Sequence, residues 1–355
     1  MMNRYFTVTL KLCLIFLTSA CSDSSEEPTA NQLFDYWNMK VDLSQTEQKE
    51  LALQAIETSG DPYLKAISNF IMGYYSMRDV DHKAALEHYV QAEYDLAASE
   101  KVDSKLLGHI YRNRGFIAEK YSQYEKAVTF YDAALRHYNR FPEDLAKERM
   151  AILNSKGLVL QEVDLNQSLT VFETLIQEAR LNKNINYEAK ALRLIGEAHI
   201  DMNDYDKAEA FLKEAIDLFD KENLKNPRLQ YQLFRSLSRL NFYLEKYEEQ
   251  EDYLRLALDL NIPYKSFRLK VDLGENLYKQ GKKKEAYELL STLEKGFDQQ
   301  PTNKDNLFIY ELLTEISPAN ARVGYQEKWE QAKARYDQET QSIDGQLRTY
   351  YELLL

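Results

Sequence analysis

Apolar residues recur at helical spacing through most of the chain, with charged and polar residues filling the positions between them. From residue 43 to 59 this pattern predicts one helix, with Leu51 and Ile56 on its apolar side. Over residues 303–316 and 318–342 it predicts a last helix pair. The 355 residues include only 11 glycines and 7 prolines, which favours long helices joined by short turns and argues against sandwiches, barrels and Gly-rich phosphate loops.

Small residues recur inside these helical patterns at a spacing of roughly 40 residues, which indicates internal repetition. Glycine costs about 1 kcal/mol relative to alanine inside a helix, so a recurring helical glycine needs a packing reason. The positions are Gly73, Gly115, Gly157, Gly196, Ser238 and Gly274.

A second pattern follows each of these small residues and predicts the other helix of a pair. It consists of an aromatic residue or histidine, then alanine, then a bulky residue, then alanine. The opening residues are His82, Tyr124, Tyr205 and Tyr247; the first alanines are Ala85, Ala127, Ala208 and Ala286; the bulky residues are Tyr89, Tyr131, Leu212 and Leu290; the last alanines are Ala92, Ala134 and Ala215.

This combined pattern resembles the tetratricopeptide repeat, most closely at residues 124–127 and 205–208, which read YEKA and YDKA. The third unit departs from it with Ser168 and Phe172, and the fifth with Gln250 in place of alanine. The resemblance implies an all-α, right-handed solenoid of antiparallel helix pairs, with repeats of about 40 residues stabilised by stacking. We expect each glycine to face an alanine of the second helix, with the bulky residues filling the next layer.

The first twenty residues have the layout of a signal peptide. Arg4 and Lys11 precede a short apolar run over residues 12–17, and the small residues of 18–20 follow it. The run is too short to span a bilayer.

Residues 17–21, LTSAC, resemble the lipobox of bacterial lipoproteins, in which the cysteine is lipidated after cleavage. Thr18 stands where that motif usually has leucine, so an ordinary secretory signal followed by a chance cysteine is the alternative. Cys13 leaves with the signal, which makes Cys21 the predicted lipid-attachment site and the last cysteine of the mature chain. Ser22 follows it instead of Asp, and this predicts the outer membrane.

Five segments follow from these patterns. We predict the signal peptide over residues 1–20, a tether over 21–33, an N-terminal helical cap over 34–60, six helix pairs over 61–297, and a degenerate C-terminal pair with a tail over 298–355.

The sequence offers little catalytic or cofactor chemistry. It contains no phosphate-binding, dinucleotide-binding, zinc-protease or nucleophile-elbow motif, and its five histidines show no metal-ligand spacing. A net charge of −12 disfavours nucleic acid. We therefore expect a protein that is not an enzyme, with no cofactor, no metal and no nucleic-acid partner.

Basic residues concentrate on the first helix of each predicted pair, at positions that line the ligand groove in tetratricopeptide arrays. Arginine can donate to both oxygens of a carboxylate, so this face suits a protein or peptide partner of acidic character. The alternative is that these residues pair with Glu197, Asp272 and Glu275 on neighbouring helices. The predicted groove residues are Arg112, Asn113, Lys190, Arg193, Arg235, Arg239 and Arg268.

Together these features predict a non-catalytic, lipid-anchored scaffold or assembly factor of the bacterial cell envelope that holds a partner in this groove. The other hypothesis is an envelope module that captures or senses a small ligand or peptide.

Overall fold

The computed structural model describes residues 43–142, 144–263, 265–296 and 304–354, and every regular element in these ranges is an α-helix. The predicted signal peptide, Cys21 and the tether lie outside the described residues. The helices are α1 Gln45–Thr58, α2 Pro62–Arg78, α3 His82–Ala98, α4 Ser104–Lys120, α5 Tyr124–Tyr138, α6 Ala146–Gln161, α7 Leu165–Leu181, α8 Ile185–Asp201, α9 Tyr205–Lys221, α10 Pro227–Tyr243, α11 Tyr247–Asp259, α12 Ser266–Lys279, α13 Lys283–Glu294, α14 Lys304–Ile316 and α15 Ala319–Leu354. This arrangement confirms the prediction of an all-α fold.

The chain forms two compact units that divide within α4, between Leu106 and Leu107. In the first unit α2 packs against both α1 and α3. The Tyr75 hydroxyl donates to Gln48 Oε1 at 2.6 Å and joins α2 to α1. The second unit is a succession of helix pairs in which first helices also pack on first helices, as α8 does on α6 and α10, and α14 does on α12.

Two of the first helices begin with an Asp or Asn at the N-cap followed by a proline. Pro62 and Pro227 occupy the first turns of α2 and α10, where a missing N–H costs no intrahelical bond. The Asp61 side chain accepts from the Tyr63 N–H at 2.8 Å, and the Asn226 side chain accepts from the Leu229 N–H at 3.1 Å. These caps fix where each helix begins.

The recurring glycines lie directly beneath the bulky residues of the second helices. A Cβ added at Gly115 would lie 2.7 Å from Tyr131 Cε1, and one added at Gly196 would lie 2.7 Å from Leu212 Cγ. The prediction that glycine faces alanine was therefore wrong. The alanines are themselves fully buried, and the side chain one turn further along the second helix occupies the space that glycine leaves.

In five of the six pairs, all but the third, the turn between the two helices contains a left-handed residue two positions before the second helix. Val80 has φ 62° in the first pair, and Gly281 has φ 77° at the equivalent place in the sixth. The Asp81 N–H donates to the Ser76 carbonyl at 2.9 Å, and the Lys282 N–H donates to the Leu277 carbonyl at 2.9 Å. Both turns thus end the first helix with a Schellman motif, which favours glycine at the left-handed position.

Val80→Gly is expected to stabilise the first unit by about 1 kcal/mol. Val80 is a β-branched residue held in the left-handed region, and its side chain is 72% exposed, so removing it relieves strain without losing packing. Amide exchange of the α2 and α3 backbone should become slower. Gly281→Val is the matched control in the opposite direction, and faster exchange in Val80→Gly would contradict the strain argument.

Glu251 joins α11 to the turn between α12 and α13. Its carboxylate accepts from Arg255 Nη2 at 2.5 Å, Gln280 Nε2 at 2.8 Å and Lys282 Nζ at 2.9 Å. Burial alone would raise the pKa of Glu251, but these donors outweigh it and lower the pKa to about 2. The ionised carboxylate is therefore the form that the fold stabilises.

Glu251→Gln is expected to cost about 2 kcal/mol at pH 7, because three donors lose a charged acceptor. The pKa is lowered on folding, so the contribution of Glu251 is present above about pH 4.5 and is lost as the pH falls toward 2. Urea unfolding of wild type and variant across this range should show the difference shrinking with acidification. A difference that stays constant from pH 7 to pH 3 would contradict the assigned ionisation.

Candidate functional site

The predicted groove residues lie on four first helices of the second unit. Arg112 and Asn113 are on α4, Lys190 and Arg193 on α8, Arg235 and Arg239 on α10, and Arg268 on α12. The structure divides them into residues that form ion pairs with carboxylates of the fold and residues that form none.

Arg193 belongs to the first class. Its side chain is almost fully buried, and Nη1 donates to Glu197 Oε2 at 2.5 Å. The Ser236 hydroxyl on α10 donates to the other Glu197 oxygen at 2.8 Å. This arrangement cross-links α8 to α10 and leaves Arg193 little surface for a partner. Arg193 thus follows the alternative hypothesis, in which the basic residues pair with carboxylates of the fold such as Glu197.

Arg239 and Arg268 also bind carboxylates, though each stays partly exposed. Arg239 pairs with Asp201 at the end of α8, and its guanidinium lies 5.7 Å from the centre of the Tyr243 ring. Arg268 donates to Asp272 on its own helix at 2.9 Å and pairs with Asp305 on α14. Burial lowers the pKa of both guanidinium groups, but the neighbouring carboxylates act in the opposite direction, and the pKa of each is raised overall.

Arg235 is exposed and forms no ion pair with any described residue. It lines a pocket of about 210 Å³ between α10 and α12. Burial raises the pKa of Asp272, against the opposing charges of Arg268 and Arg235, and it also raises the pKa of Glu275. Cations and carboxylates therefore meet here, and the other lining residues are Ser238, Arg239, Phe242, Tyr243 and Gln250.

Lys190 lies in a different pocket, of about 380 Å³, between the first turns of α8 and α10. No carboxylate of a described residue lies within ion-pair distance of its ammonium group, which is 5.9 Å from the centre of the Tyr187 ring. Burial, reinforced by the positive charges of Arg193 and Arg228, lowers the pKa of Lys190 to about 8. Its charge is thus poorly compensated within the fold.

On α4, Arg112 and Asn113 contact each other. The Arg112 Nε donates to Asn113 Oδ1 at 3.2 Å, and Asn113 is buried. The neighbouring Phe116 is one of the large apolar side chains that stay exposed. A partner reaching this region would meet Arg112 and Phe116 before Asn113.

Sequence reasoning missed several residues that define these pockets. Arg228 and Asn226 lie at the extended start of α10, ahead of the positions that the repeat pattern assigns to the groove. Asp201 pairs with Arg239, which lies 38 positions away in the sequence, and Asp305 pairs with Arg268, which lies 37 positions away. The Asn226-Pro227 start of α10 was the sequence signal that could have identified Asn226 and Arg228. The way neighbouring helices are shifted along each other brings in the two aspartates, and this shift cannot be read from the sequence.

The described residues offer no arrangement typical of a metal centre or a membrane span. No group of three or more His, Cys, Asp or Glu side chains in these ranges could hold a metal ion. Within the same ranges, no helix combines the length and the hydropathy needed to cross a bilayer.

Comparison with solved structures identifies the fold as that of tetratricopeptide repeat proteins. A tetratricopeptide repeat protein from Parabacteroides merdae superposes with a TM-score of 0.54 at 17% identity, covering 82% of this chain and 98% of the other. Aspartyl phosphate phosphatase F from Bacillus subtilis gives 0.55 at 15% identity, covering 97% and 88%. No family model and no curated protein sequence matches the chain.

A third similar structure contains a bound peptide. The Rap conjugation gene regulator of plasmid pLS20, in complex with the Phr* peptide, gives a TM-score of 0.50 at 16% identity, covering 88% of this chain and 96% of the other. At these identities the likeness establishes the fold, and the tetratricopeptide-like character predicted from the recurring glycines and alanines is confirmed.

Proposed function

We propose that this chain is a non-catalytic, lipid-anchored scaffold or assembly factor of the bacterial cell envelope, which binds a protein or peptide along its first helices. A helical repeat fold supports this proposal because stacked helix pairs expose one row of first helices as a continuous binding surface. The peptide bound to the Rap regulator shows that a similar fold can hold such a ligand.

The observation that carries the proposal is that two cations on neighbouring first helices form no ion pair with a described residue, although Asp272 acts on one of them, Arg235, at longer range. Lys190 on α8 and Arg235 on α10 each lack a carboxylate partner among the described residues, whereas Arg193, Arg239 and Arg268 are all paired. The chain as a whole carries a net charge of −12. Unpaired cations in so acidic a protein favour an acidic segment of a partner at this face.

A second candidate is a module that captures or senses a peptide or small ligand and releases it again. The peptide complex of the Rap regulator favours this alternative. Native mass spectrometry separates the two. A co-purified low-mass ligand supports capture, and a macromolecule that binds wild type but not Arg235→Glu supports the scaffold. Arg136→Glu, at an exposed position on the second helix α5, is the matched control.

Cys21→Ser is expected to move the protein from the membrane fraction to the soluble fraction and to abolish labelling by palmitate. No described helix could hold the chain in a bilayer, and several acyl chains on Cys21 would anchor it firmly. Cys13→Ser is the matched control, since Cys13 lies inside the predicted signal and should leave labelling unchanged. A Cys21→Ser protein that stays labelled or membrane-bound would refute the lipoprotein assignment.

A further inference from the structure

The pocket between the first turns of α8 and α10 is lined by cationic and amide side chains with a single aromatic ring. Its volume is about 380 Å³. The lining contains no carboxylate, in contrast to the neighbouring pocket at Arg235, which includes Asp272 and Glu275. The lining residues are Asn186, Tyr187, Lys190, Asn226, Arg228, Leu229 and Gln232.

Nearby acidic residues do not neutralise this pocket. Glu188, on the first turn of α8, accepts from Arg180 Nε at 2.6 Å and is held on the α7 side. Glu197 is occupied by Arg193 at 2.5 Å. Burial, and to a smaller extent the charge of Glu148, raises the pKa of the Tyr187 phenol, but Glu148 does not line the pocket. Lys190 and Arg228 therefore contribute two positive charges that the described residues leave unpaired.

Amide donors and helix ends add to the positive potential. The Asn226 Nδ2 donates to Asn186 Oδ1 at 2.9 Å, which leaves the Asn186 amide nitrogen as a donor, and Gln232 supplies another amide. The pocket also lies at the first turns of two helices, where the positive end of the helix dipole favours negative charge. The two cationic side chains and the two helix ends thus favour an anionic ligand, and the amide nitrogens can donate to it.

We propose that this pocket binds one oxyanion group of the partner, either a carboxylate or a phosphate, with Lys190 and Arg228 as its two cationic donors. The inference deepens the proposed function, because the group would belong to the segment held along the first helices. A fork-shaped guanidinium and an ammonium suit either oxyanion. Small anions test the pocket without the rest of the partner.

The test titrates the full chain with inorganic phosphate and, separately, with glutarate, at constant ionic strength in chloride buffer. Lys190→Met and Arg228→Gln should each weaken binding of the preferred anion at least tenfold. Lys284→Met is the control, since that side chain is 90% exposed on α13, and its affinity should stay within twofold of wild type. The anion that binds more tightly identifies the source as carboxylate or phosphate.

Melting temperatures measured with and without anion distinguish loss of the binding site from loss of the fold. Because Lys190 is partly buried beside other cations, Lys190→Met should melt at or above the wild-type temperature without anion and should lose the increase that the anion gives wild type. Absence of anion binding to wild type, or equal affinities in all four proteins, would overturn the inference. Peptide binding that then persisted through Arg235 would leave the proposed function standing, so the two failures are distinguishable.

Discussion

Gly115→Val is expected to lower the free energy of unfolding of the second unit by about 3 kcal/mol. A Cβ at this position would lie 2.7 Å from the ring of Tyr131, whose side chain is 1% exposed. The ring cannot move aside freely, because the Tyr131 hydroxyl also donates to Glu119 at 2.6 Å. Overpacking of this kind typically costs about 1–3 kcal/mol, and the trapped ring places this site at the upper end.

Gly324→Val is the matched control for this prediction. Gly324 lies in α15, it is exposed, and a Cβ there would meet no atom within 4 Å. Valine should therefore be neutral or slightly stabilising, because glycine is the poorer helix former. Chemical unfolding of both variants gives the comparison. If both variants lost the same free energy of unfolding, the close approach of α4 and α5 at Gly115 would not explain the destabilisation.

Arg193→Ala is expected to cost about 3 kcal/mol, whereas Arg235→Ala should be nearly silent. Removing Arg193 leaves the Glu197 carboxylate in a mostly dry contact with only Ser236 to donate to it. Breaking one partner of a buried pair is strongly destabilising for this reason. Arg235 is exposed and makes no ion pair with a described residue, so its loss removes little.

A double-mutant cycle measures the coupling between Arg193 and Glu197 directly. Arg193→Ala and Glu197→Ala should together cost less than the sum of the single variants, because the second change removes the unpaired charge that the first one creates. Additive costs, or a loss in Arg235→Ala as large as that in Arg193→Ala, would contradict the distinction between paired and unpaired arginines.

The helix pairs were predictable because their cause is local. The glycine and alanine spacings and the caps at Asp61 and Asn226 are visible in the sequence, and the second helices begin at the aromatic or histidine residues that predicted them, such as Tyr124 and Tyr205. The contact at Gly115 was not predictable, since whether glycine meets Ala127 or Tyr131 depends on how far the two helices slide along each other. That displacement is a property of the packed pair and not of either helix.

The candidate site was predictable only as a set of basic positions. The sequence places Glu197 one turn after Arg193, and it left open whether the arginine faces a partner or its own neighbour. The structure settles this through Ser236, which belongs to the next pair. Asp305 reaches Arg268 in the same non-local way. Pairing across repeats therefore decided which cations remain available, and Lys190, Arg235 and Arg112 are the predicted ones without a carboxylate partner among the described residues.

The central claim is that the first helices bind an acidic segment through these unpaired cations. Fluorescence anisotropy of a labelled ten-residue peptide of alternating Glu and Gly, titrated at low salt with the full chain, tests it most directly. The matching Gln and Gly peptide controls for charge, and Arg136→Glu controls for the reversal of an exposed arginine on a second helix.

The account predicts that wild type and Arg136→Glu bind the acidic peptide alike and that neither binds the neutral one. Arg235→Glu should bind at least tenfold more weakly at an unchanged melting temperature, with the difference narrowing as salt screens the charges. Equal binding by wild type and Arg235→Glu at low salt would contradict the role that the claim gives to Arg235.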